Sequence, residues 1–149
     1  NDLTSLIKDN INLIKELDEN IIINFDANTN EIILNSDNEQ LSRVFFNMIK
    51  NSIESIQEKR LNNTHLKGNI EITLNDNLSY IDFIIVDNGL GFGTFKDNIK
   101  NLLNPYFTTK EKGTGLGLAI VNKIINDHNG TINFIPIKDG AKIKITFVR

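Results

Sequence analysis

Residues 104–121 read NPYFTTKEKGTGLGLAIV, and this stretch decides between two fold classes. Gly113, Gly115 and Gly117 stand where a loop becomes a helix, although glycine inside a helix costs roughly 0.5–1 kcal/mol relative to alanine. A doubly wound dinucleotide-binding fold would place a strand directly before glycines spaced GxGxxG. NPYFTTKEK has no strand pattern and the glycines are spaced GxGxG, so the sequence argues against that fold.

The same glycines favour a site for an anion, although a flexible hinge is the plainer alternative. Free N–H groups and the positive end of the helix dipole attract anions to a helix start, and glycine leaves the backbone open to a phosphate. Lys110 and Lys112 add positive charge nearby, and Thr109 and Thr114 add hydroxyl groups. The segment therefore indicates a ligand that carries phosphate.

Hydrophobic periodicity outward from this helix predicts a single domain over residues 1–149. The expected helices are 1–17, 36–60 and 114–128, and the expected strands are 21–25, 31–34, 69–74, 79–87, 131–137 and 141–148. This order predicts an α+β fold, a two-layer α/β sandwich in which helices cover one face of a mixed, mostly antiparallel sheet. The connection 88–113 is long and weakly periodic, which predicts a functional lid.

Two of the predicted helix ends carry sequence signals. Ser36 and Glu39 have the spacing of a capping box, which predicts that they cap the second helix, while Asp37 adds negative charge there. Asn129 and Gly130 follow the third helix, and Gly130 is expected to supply the left-handed stop.

The composition is that of an ordinary globular domain, with 40% hydrophobic and 23% charged residues among 149. A net charge of −3 argues against nucleic-acid partners. The lack of cysteine excludes disulfides, thiolate catalysis and cysteine-ligated zinc. No apolar stretch approaches the ~20 residues needed to cross a bilayer, so the cytoplasm is the expected location, with a membrane anchor left open for a longer protein.

The segment VDNGLGF (86–92) ends a predicted strand in Asp87. An exposed aspartate in a strand-terminating turn is a common alternative. The functional interpretation is a carboxylate in a pocket that accepts a hydrogen bond from the exocyclic amino group of a base. Gly89 and Gly91 would then let the planar ring lie against the backbone.

The second helix carries NMIKNSIESI (47–56), in which Asn47 and Asn51 share one face at i and i+4. In a chain so rich in asparagine, a solvated polar face is the alternative for either residue. The functional interpretation gives Asn51 an amide oxygen for Mg²⁺, a cation that binds oxygen and keeps waters and substrate phosphates.

Taken in order, these motifs resemble the catalytic, ATP-binding domain of sensor histidine kinases. NMIKN resembles the N box of that family, DNGLG its first glycine box, PYFTTK its F box and GTGLGL its second glycine box. The resemblance covers residues 1–149 and implies the ATP-binding fold of histidine kinases and gyrase B. The string TTKEKGTGLGLAIV resembles the nitrogen-regulation type of sensor kinase most.

The resemblance implies ATP and Mg²⁺ as ligands. Asp87 would recognise adenine, with Gly89 and Gly91 beside the ring. Asn51 would bind Mg²⁺, and Asn47 would support the phosphates or the metal. Lys110 completes the implied catalytic set with these two asparagines. The nucleotide contacts implied for the F box and the second glycine box are Phe107, Thr109, Lys110, Lys112, Gly113, Thr114, Gly115, Leu116 and Gly117.

The residue at the first N-box position separates transfer from hydrolysis. ATP hydrolases of this fold resemble one another in placing Glu there as a general base, whereas this chain has Asn47. An amide takes no proton at neutral pH, which favours transfer to imidazole, a nucleophile that needs no strong base. The implied activity is therefore that of a protein-histidine kinase, a phosphotransferase. An ATP hydrolase or switch of the same fold and a degenerate nucleotide-binding regulatory module remain the alternatives. Glu54 would repel phosphates and is given no role.

The phosphoacceptor histidine is not expected within this chain. His65 lies in a polar loop and His128 at a helix end, so both are interpreted as surface or capping residues. The resemblance implies a dimerisation domain with the acceptor histidine elsewhere in a longer protein, near residues 1–17, and a response regulator downstream. The chain alone is expected to be a monomer that binds ATP–Mg²⁺ without phosphorylating itself, and the full-length protein a homodimer.

Overall fold

The computed structural model describes residues 1–92 and 116–149 of the chain. Its helices are α1 Leu3–Ile14, α2 Asn38–Arg60 and α3 Leu116–Asp127, and a 3₁₀ turn at Lys15–Leu17 follows α1. Its strands are β1 Ile21–Ala27, β2 Gly68–Asp76, β3 Tyr80–Asp87, β4 Gly130–Ile137 and β5 Gly140–Val148. They form one sheet in the order β1-β2-β3-β5-β4, which confirms the predicted α+β class.

The sheet is mixed and mostly antiparallel, as expected. β1 pairs with β2 in parallel, while the β2–β3, β3–β5 and β4–β5 pairs are antiparallel. In this register Asp87, the last residue of β3, stands opposite Ile70 on β2 and Ala141 on β5. The C-terminal end of the central strand therefore lies between the N-terminal parts of its two neighbours, β2 and β5.

The hydrophobic core lies between the helices and one face of the sheet. Phe45 of α2 and Phe83 of β3 are fully buried, with ring centroids 4.9 Å apart. The opposite face carries polar pairs, such as the 2.7 Å hydrogen bond from the Thr146 hydroxyl to Asp82. The apolar stripe of α2 is buried as predicted and consists of Leu41, Val44, Phe45, Met48, Ile49, Ile53 and Ile56. Asn47 and Asn51 lie outside this stripe, so their side chains make contacts other than those of the hydrophobic core.

The strand predicted at 31–34 does not form. Ile33 makes only an isolated bridge with Asp2, although Ile32 and Leu34 are buried. The segment is held instead by the start of α1, because the Leu3 amide donates to the Ile32 carbonyl at 2.8 Å. The hydrophobic pattern therefore predicted burial correctly but predicted the wrong partner.

The second helix is capped by Asp37, so the predicted capping box of Ser36 and Glu39 is wrong. The Asp37 carboxylate accepts a 3.1 Å hydrogen bond from the Gln40 amide. The Ser36 hydroxyl instead donates to the Leu34 carbonyl at 3.2 Å. Asp and Ser are similarly good N-caps, and here Ser36 is already used by the preceding segment.

The end of α3 also differs from the expectation, because Asn129 rather than Gly130 has the left-handed backbone (φ 57°). Gly130 is the first residue of β4, where an added Cβ would lie 2.8 Å from the Thr146 carbonyl oxygen and 2.9 Å from Cγ2 of Ile125. This glycine therefore permits close packing of strand and helix rather than a turn.

Candidate functional site

Asp87 ends the central strand with its side chain directed toward the helices. It has the same strand parity as Ile81, Phe83 and Ile85, which are all buried in the core. Asp87 is itself 7% exposed, and one carboxylate oxygen accepts the Gly89 amide at 2.8 Å. A buried carboxylate needs hydrogen-bond donors, and a base with an exocyclic amino group would supply one.

Two side chains of α2 form hydrogen bonds with the backbone of the loop after Asp87. The Leu90 amide donates to the Ser55 hydroxyl at 2.9 Å. The Lys59 ammonium donates to the carbonyl oxygens of Asn88 and Gly89 at 3.1 and 3.2 Å. These contacts fix the backbone on both sides of Gly89, so α2 determines where the loop lies.

The Asn88 side chain connects the same loop to the start of β2 through two hydrogen bonds. Its amide oxygen accepts the Asn69 backbone N–H at 2.8 Å, and its NH₂ group donates to the Lys67 carbonyl at 2.8 Å. A single amide thus uses both its acceptor and its donor to extend the β2–β3 pairing beyond Asp87.

Three glycines allow these segments to approach. A Cβ on Gly89 would lie 2.8 Å from the Ser55 carbonyl carbon. Gly91 has φ +73°, a conformation that favours glycine, and its Cβ would lie 2.5 Å from the Gly140 carbonyl oxygen. A Cβ on Gly140 would overlap the Asp87 carbonyl oxygen. The loop is therefore enclosed between α2 and the β4–β5 turn.

The N-box asparagines lie along α2 between this loop and the start of α3. The Asn47 NH₂ group donates to the Arg43 carbonyl at 2.9 Å, which leaves its oxygen directed away from its own helix backbone. That oxygen lies 3.8 Å from the Cβ position of Gly117 on the first turn of α3. Asn51 is half-buried one turn further along α2. The N box lies on α2, and the structure brings the first glycine box and the end of the second glycine box to this same helix.

A cleft of about 320 Å³ borders the Gly89–Phe92 loop. It is lined by Lys59, Gly89, Leu90, Gly91, Phe92, Pro136, Ile137, Asp139 and Gly140. The cleft shares Gly89 and Gly91 with the predicted nucleotide site, whereas Asp87, Asn47 and Asn51 are not among its lining residues.

Several predicted site residues lie outside the described ranges. They are Phe107, Thr109, Lys110, Lys112, Gly113, Thr114 and Gly115. Leu116 is the first residue of α3. The predicted lid, 88–113, is described only over residues 88–92.

Sequence reasoning missed Ser55, Lys59 and Gly140. Ser55 and Lys59 lie four and eight residues after Asn51, and this helical spacing could have indicated them. No sequence pattern near Gly140 indicates its contact with Asp87, because that contact joins two hairpins that are distant in the chain.

Residues 36–149 match the family described as histidine kinase-, DNA gyrase B- and HSP90-like ATPases. The chain belongs to this family. The fold and motif resemblance inferred from the sequence is thereby confirmed.

The similar curated proteins are sensor kinases. An NtrY-like sensor histidine kinase of Rickettsia prowazekii is 34% identical over 98% of this chain and 23% of its own length. The sensor histidine kinase ZraS of Escherichia coli K12 is 33% identical over 88% of this chain and 26% of its own length. The chain therefore spans about a quarter of the length of these relatives.

The similar solved structures are histidine kinases as well. The nucleotide-free catalytic domain of the histidine kinase ThkA superposes with a TM-score of 0.83 at 26% identity, covering 98% of this chain and 93% of that domain. Full-length ShkA in complex with AMPPNP shares the fold, with a TM-score of 0.81 at 19% identity over 99% of this chain and 30% of ShkA. In the part of the chain that the structure describes, no helix is long and apolar enough to span a membrane.

Proposed function

We propose that this chain binds ATP with Mg²⁺ and presents the γ-phosphoryl group for transfer to a histidine on a separate dimerisation domain. The observation that supports this proposal is the convergence of two distant segments, the loop after Asp87 and the start of α3, on the part of α2 that carries Asn47 and Asn51. Gly117 lies beside Asn47, and Leu90 is bonded to Ser55. At about 1.5 Å per residue, these two points are about 12 Å apart along the helix, with Asn51 between them.

Asp87 is proposed to bind the adenine. Its buried carboxylate accepts the Gly89 backbone N–H, and an exocyclic amino group would donate a charge-assisted hydrogen bond to it. Gly89 and Gly91 would allow the ring to approach the backbone. This assignment is supported by the contacts that hold the loop in place, because a fixed acceptor needs little rearrangement on binding.

The metal is proposed to be held mainly by the nucleotide. Within residues 1–92 and 116–149, no three His, Cys, Asp or Glu side chains are grouped so that they could hold a metal ion. Asn51 offers a single amide oxygen, with Asn47 one turn away, which fits Mg²⁺ that keeps waters and phosphate oxygens as its other ligands. When bound, Mg²⁺ would neutralise charge on those phosphates.

The triphosphate is proposed to lie at the start of α3. The residues proposed to hold it are Lys110, Lys112, Gly113, Thr114, Gly115, Leu116 and Gly117, with Thr109 nearby and Phe107 anchoring the lid over 88–113. Helix-start amides attract anions, and Gly117 presents backbone without a side chain next to Asn47. Lys110 would join Asn47 and Asn51 in stabilising the transferred group.

In the proposed transfer, a neutral imidazole nitrogen attacks the γ-phosphorus as the bond from phosphorus to the ADP oxygen breaks. The proton on the other imidazole nitrogen is released to water. Asn47 stands where a base would have to activate water for hydrolysis, and its amide accepts no proton. Transfer then depends on positioning and charge neutralisation.

The acceptor histidine is proposed to lie in another domain of a longer, homodimeric protein, near residues 1–17, with this chain as its single ATP-binding domain in the cytoplasm. The chain has two histidines. His65 lies in an exposed loop, and both ring nitrogens of His128 have hydrogen-bond partners. A response regulator is the proposed downstream partner, since ThkA has been solved in complex with the response regulator TrrA.

The proposal is tested with the isolated chain. Calorimetric titration is expected to show ATP binding that strengthens with Mg²⁺. Incubation with ATP radiolabelled at the γ position is expected to leave no stable phosphate on the chain and to release phosphate slowly. Absence of nucleotide binding would favour a regulatory module, rapid steady-state release of phosphate would favour a hydrolase, and stable labelling would place an acceptor within the chain.

A further inference from the structure

His128 joins the end of α3 to the start of α2 through its imidazole ring. The Nδ1 atom lies 2.8 Å from the Ile124 carbonyl oxygen, and the Nε2 atom lies 3.1 Å from the Asp37 backbone nitrogen. A carbonyl oxygen can only accept a hydrogen bond, and a backbone N–H can only donate one. These two partners therefore assign a neutral ring with its proton on Nδ1 and a lone pair on Nε2.

The carboxylates of Asp37, whose main chain the ring contacts, and of Asp127, which precedes His128 in sequence, have other partners. The Asp37 carboxylate caps α2 by accepting from the Gln40 amide at 3.1 Å. The Asp127 carboxylate pairs with Lys123 at 3.2 Å within α3. The ring thus contacts the Asp37 main chain at the first residue before α2, which makes His128 a connection between two backbones.

The position of this connection matters because α2 and α3 have a second point of contact near the phosphate end of the site. Asn47 faces Gly117 there. The distance from Asp37 to Asn47 is about 15 Å along α2, and that from Gly117 to His128 is about 16 Å along α3, at about 1.5 Å per residue. The two helices therefore run antiparallel between two fixed points. A shift of α3 by one residue would move Gly117 about 1.5 Å past Asn47.

We propose that His128 is a positioning residue for nucleotide binding. Its neutral imidazole fixes the register of α3 against α2 and so sets the spacing between Gly117 and Asn47. The effect on nucleotide binding rests on the proposed function, whereas the effect on the helix register does not. His128 itself touches neither Asn47 nor Asn51 and has no part in the transfer.

The first test is nitrogen-15 NMR of the nucleotide-free chain, with His65 as an internal control. His128 is expected to show a protonated Nδ1 and an unprotonated Nε2, with a single set of resonances. His65, which is exposed in a loop, is expected to show the tautomer mixture of a free imidazole. A proton on Nε2 of His128, or a mixture like that of His65, would overturn the proposal.

The second test compares His128→Ala, which removes both hydrogen bonds, with His128→Gln. The glutamine amide can accept from the Asp37 N–H and donate to the Ile124 carbonyl. The Gly117 amide resonance and the Asn47 side-chain resonances are expected to shift in His128→Ala and to return in His128→Gln. Unchanged resonances in a folded His128→Ala variant would contradict the register role, whether or not nucleotide binds.

The third test measures ATP–Mg²⁺ affinity calorimetrically for the same variants. His128→Ala is expected to weaken binding by about 3- to 10-fold, the range of one lost hydrogen bond, because of the two bonds removed only the one to Asp37 joins α3 to α2. His128→Gln is expected to restore the affinity, and His65→Ala to leave it unchanged. Parental affinity in His128→Ala, or no recovery with glutamine, would refute the positioning role. If the parent chain itself binds no nucleotide, the proposed function fails, and the NMR tests still decide the register.

Discussion

The two ends of the candidate site are held in different ways. The loop after Asp87 is contacted from α2 by Ser55 and Lys59 and from the β4–β5 turn by Gly140, so two elements enclose it. At the other end, the Asn47 amide oxygen lies 3.8 Å from the Cβ position of Gly117 on the first turn of α3. The proposed adenine end is built into the sheet, whereas the proposed phosphate end depends on how two helices lie together.

Because of this difference, substitutions at the two ends should affect different properties of the chain. A preformed pocket contributes binding energy without rearrangement, so changes there should act on nucleotide affinity or on folding. The spacing of two helices can change by small shifts, so changes there should act on how the metal and phosphates are held. Substitutions at the two ends therefore have different expected results.

The largest effect is expected at the enclosed end. Asp87→Asn keeps the shape of the side chain but removes its charge, and hydrogen bonds to charged groups contribute about 1.5–3 kcal/mol. Affinity for ATP is expected to fall by about 10- to 100-fold in calorimetric titration. Asp26→Asn, an identical change at an exposed position of β1, is the control and should bind like the parent. If Asp87→Asn also binds like the parent, adenine is not recognised at this end.

The two ends should respond in opposite ways to added methyl groups. Gly89→Ala would place Cβ 2.8 Å from the Ser55 carbonyl carbon, an overpacked contact expected to destabilise the fold by roughly 1–3 kcal/mol. In Gly117→Ala the nearest atom of the described residues outside α3 is the Asn47 oxygen at 3.8 Å, and alanine is the better helix former by up to about 1 kcal/mol.

Thermal unfolding should therefore show a lower melting temperature for Gly89→Ala and an equal or higher one for Gly117→Ala. Nucleotide affinity should decrease in both. A Gly117→Ala variant that binds ATP like the parent would show that phosphates do not approach the first turn of α3.

A smaller effect is expected from Asn51→Ala. Loss of the amide oxygen should reduce or remove the increase in ATP affinity that Mg²⁺ produces, while affinity measured with EDTA changes little. Titrations with and without Mg²⁺ give the comparison, and Asn63→Ala in the exposed loop after α2 is the matched control. An undiminished Mg²⁺ effect in Asn51→Ala would move the metal away from this side chain.

The smallest effect is expected from a change of pH on the stability of the fold. It concerns a carboxylate near the C-terminal end of α2, beyond Lys59. Burial alone would raise the pKa of Asp18, but hydrogen bonds from Arg60, Gln57 and the Asn20 amide outweigh burial and lower it. A lowered pKa in the folded state means that the ionised carboxylate stabilises the fold above the ordinary value of 3.8. That stabilisation is lost as the pH falls through the folded pKa.

Denaturant unfolding between pH 7 and pH 2 should therefore show stability declining below about pH 4. The decline should be shallower in Asp18→Asn, because asparagine does not titrate. Asp9→Asn makes the same change on the exposed surface of α1 and should keep the parental profile. An Asp18→Asn profile that declines as steeply as the parent would exclude this carboxylate as a cause.

The sequence predicted most of the architecture because periodicity reports which side of an element is buried. The stripe of α2 and the alternation in β3 are such local signals, and the structure confirms them. The same signal failed at residues 31–34, since two buried residues can pack under the start of a helix as well as in a sheet. Hydrophobicity identifies burial but not the hydrogen-bond partner.

The site was predicted as a set of motifs rather than as contacts. Asp87, Asn47 and Gly117 were identified from short patterns, and the structure brings the latter two together. The Ser55–Leu90 bond, the close approach of Gly140 to Asp87 and the His128–Asp37 bond each join residues far apart in the chain. A single sequence without an alignment carries no record of such pairs. The roles given to residues between 93 and 115 stay predictions.

The contact between Gly140 and Asp87 limits where the chain can be engineered. The turn at Lys138 and Asp139 resembles an ordinary exposed hairpin turn, a usual choice for inserting a peptide tag or opening a permuted chain. Its next residue, however, packs against the end of the central strand, so an insertion there would disturb the backbone of Asp87, the residue proposed to bind adenine. The exposed loop at residues 62–65 is the safer place for a tag or a fluorescent label.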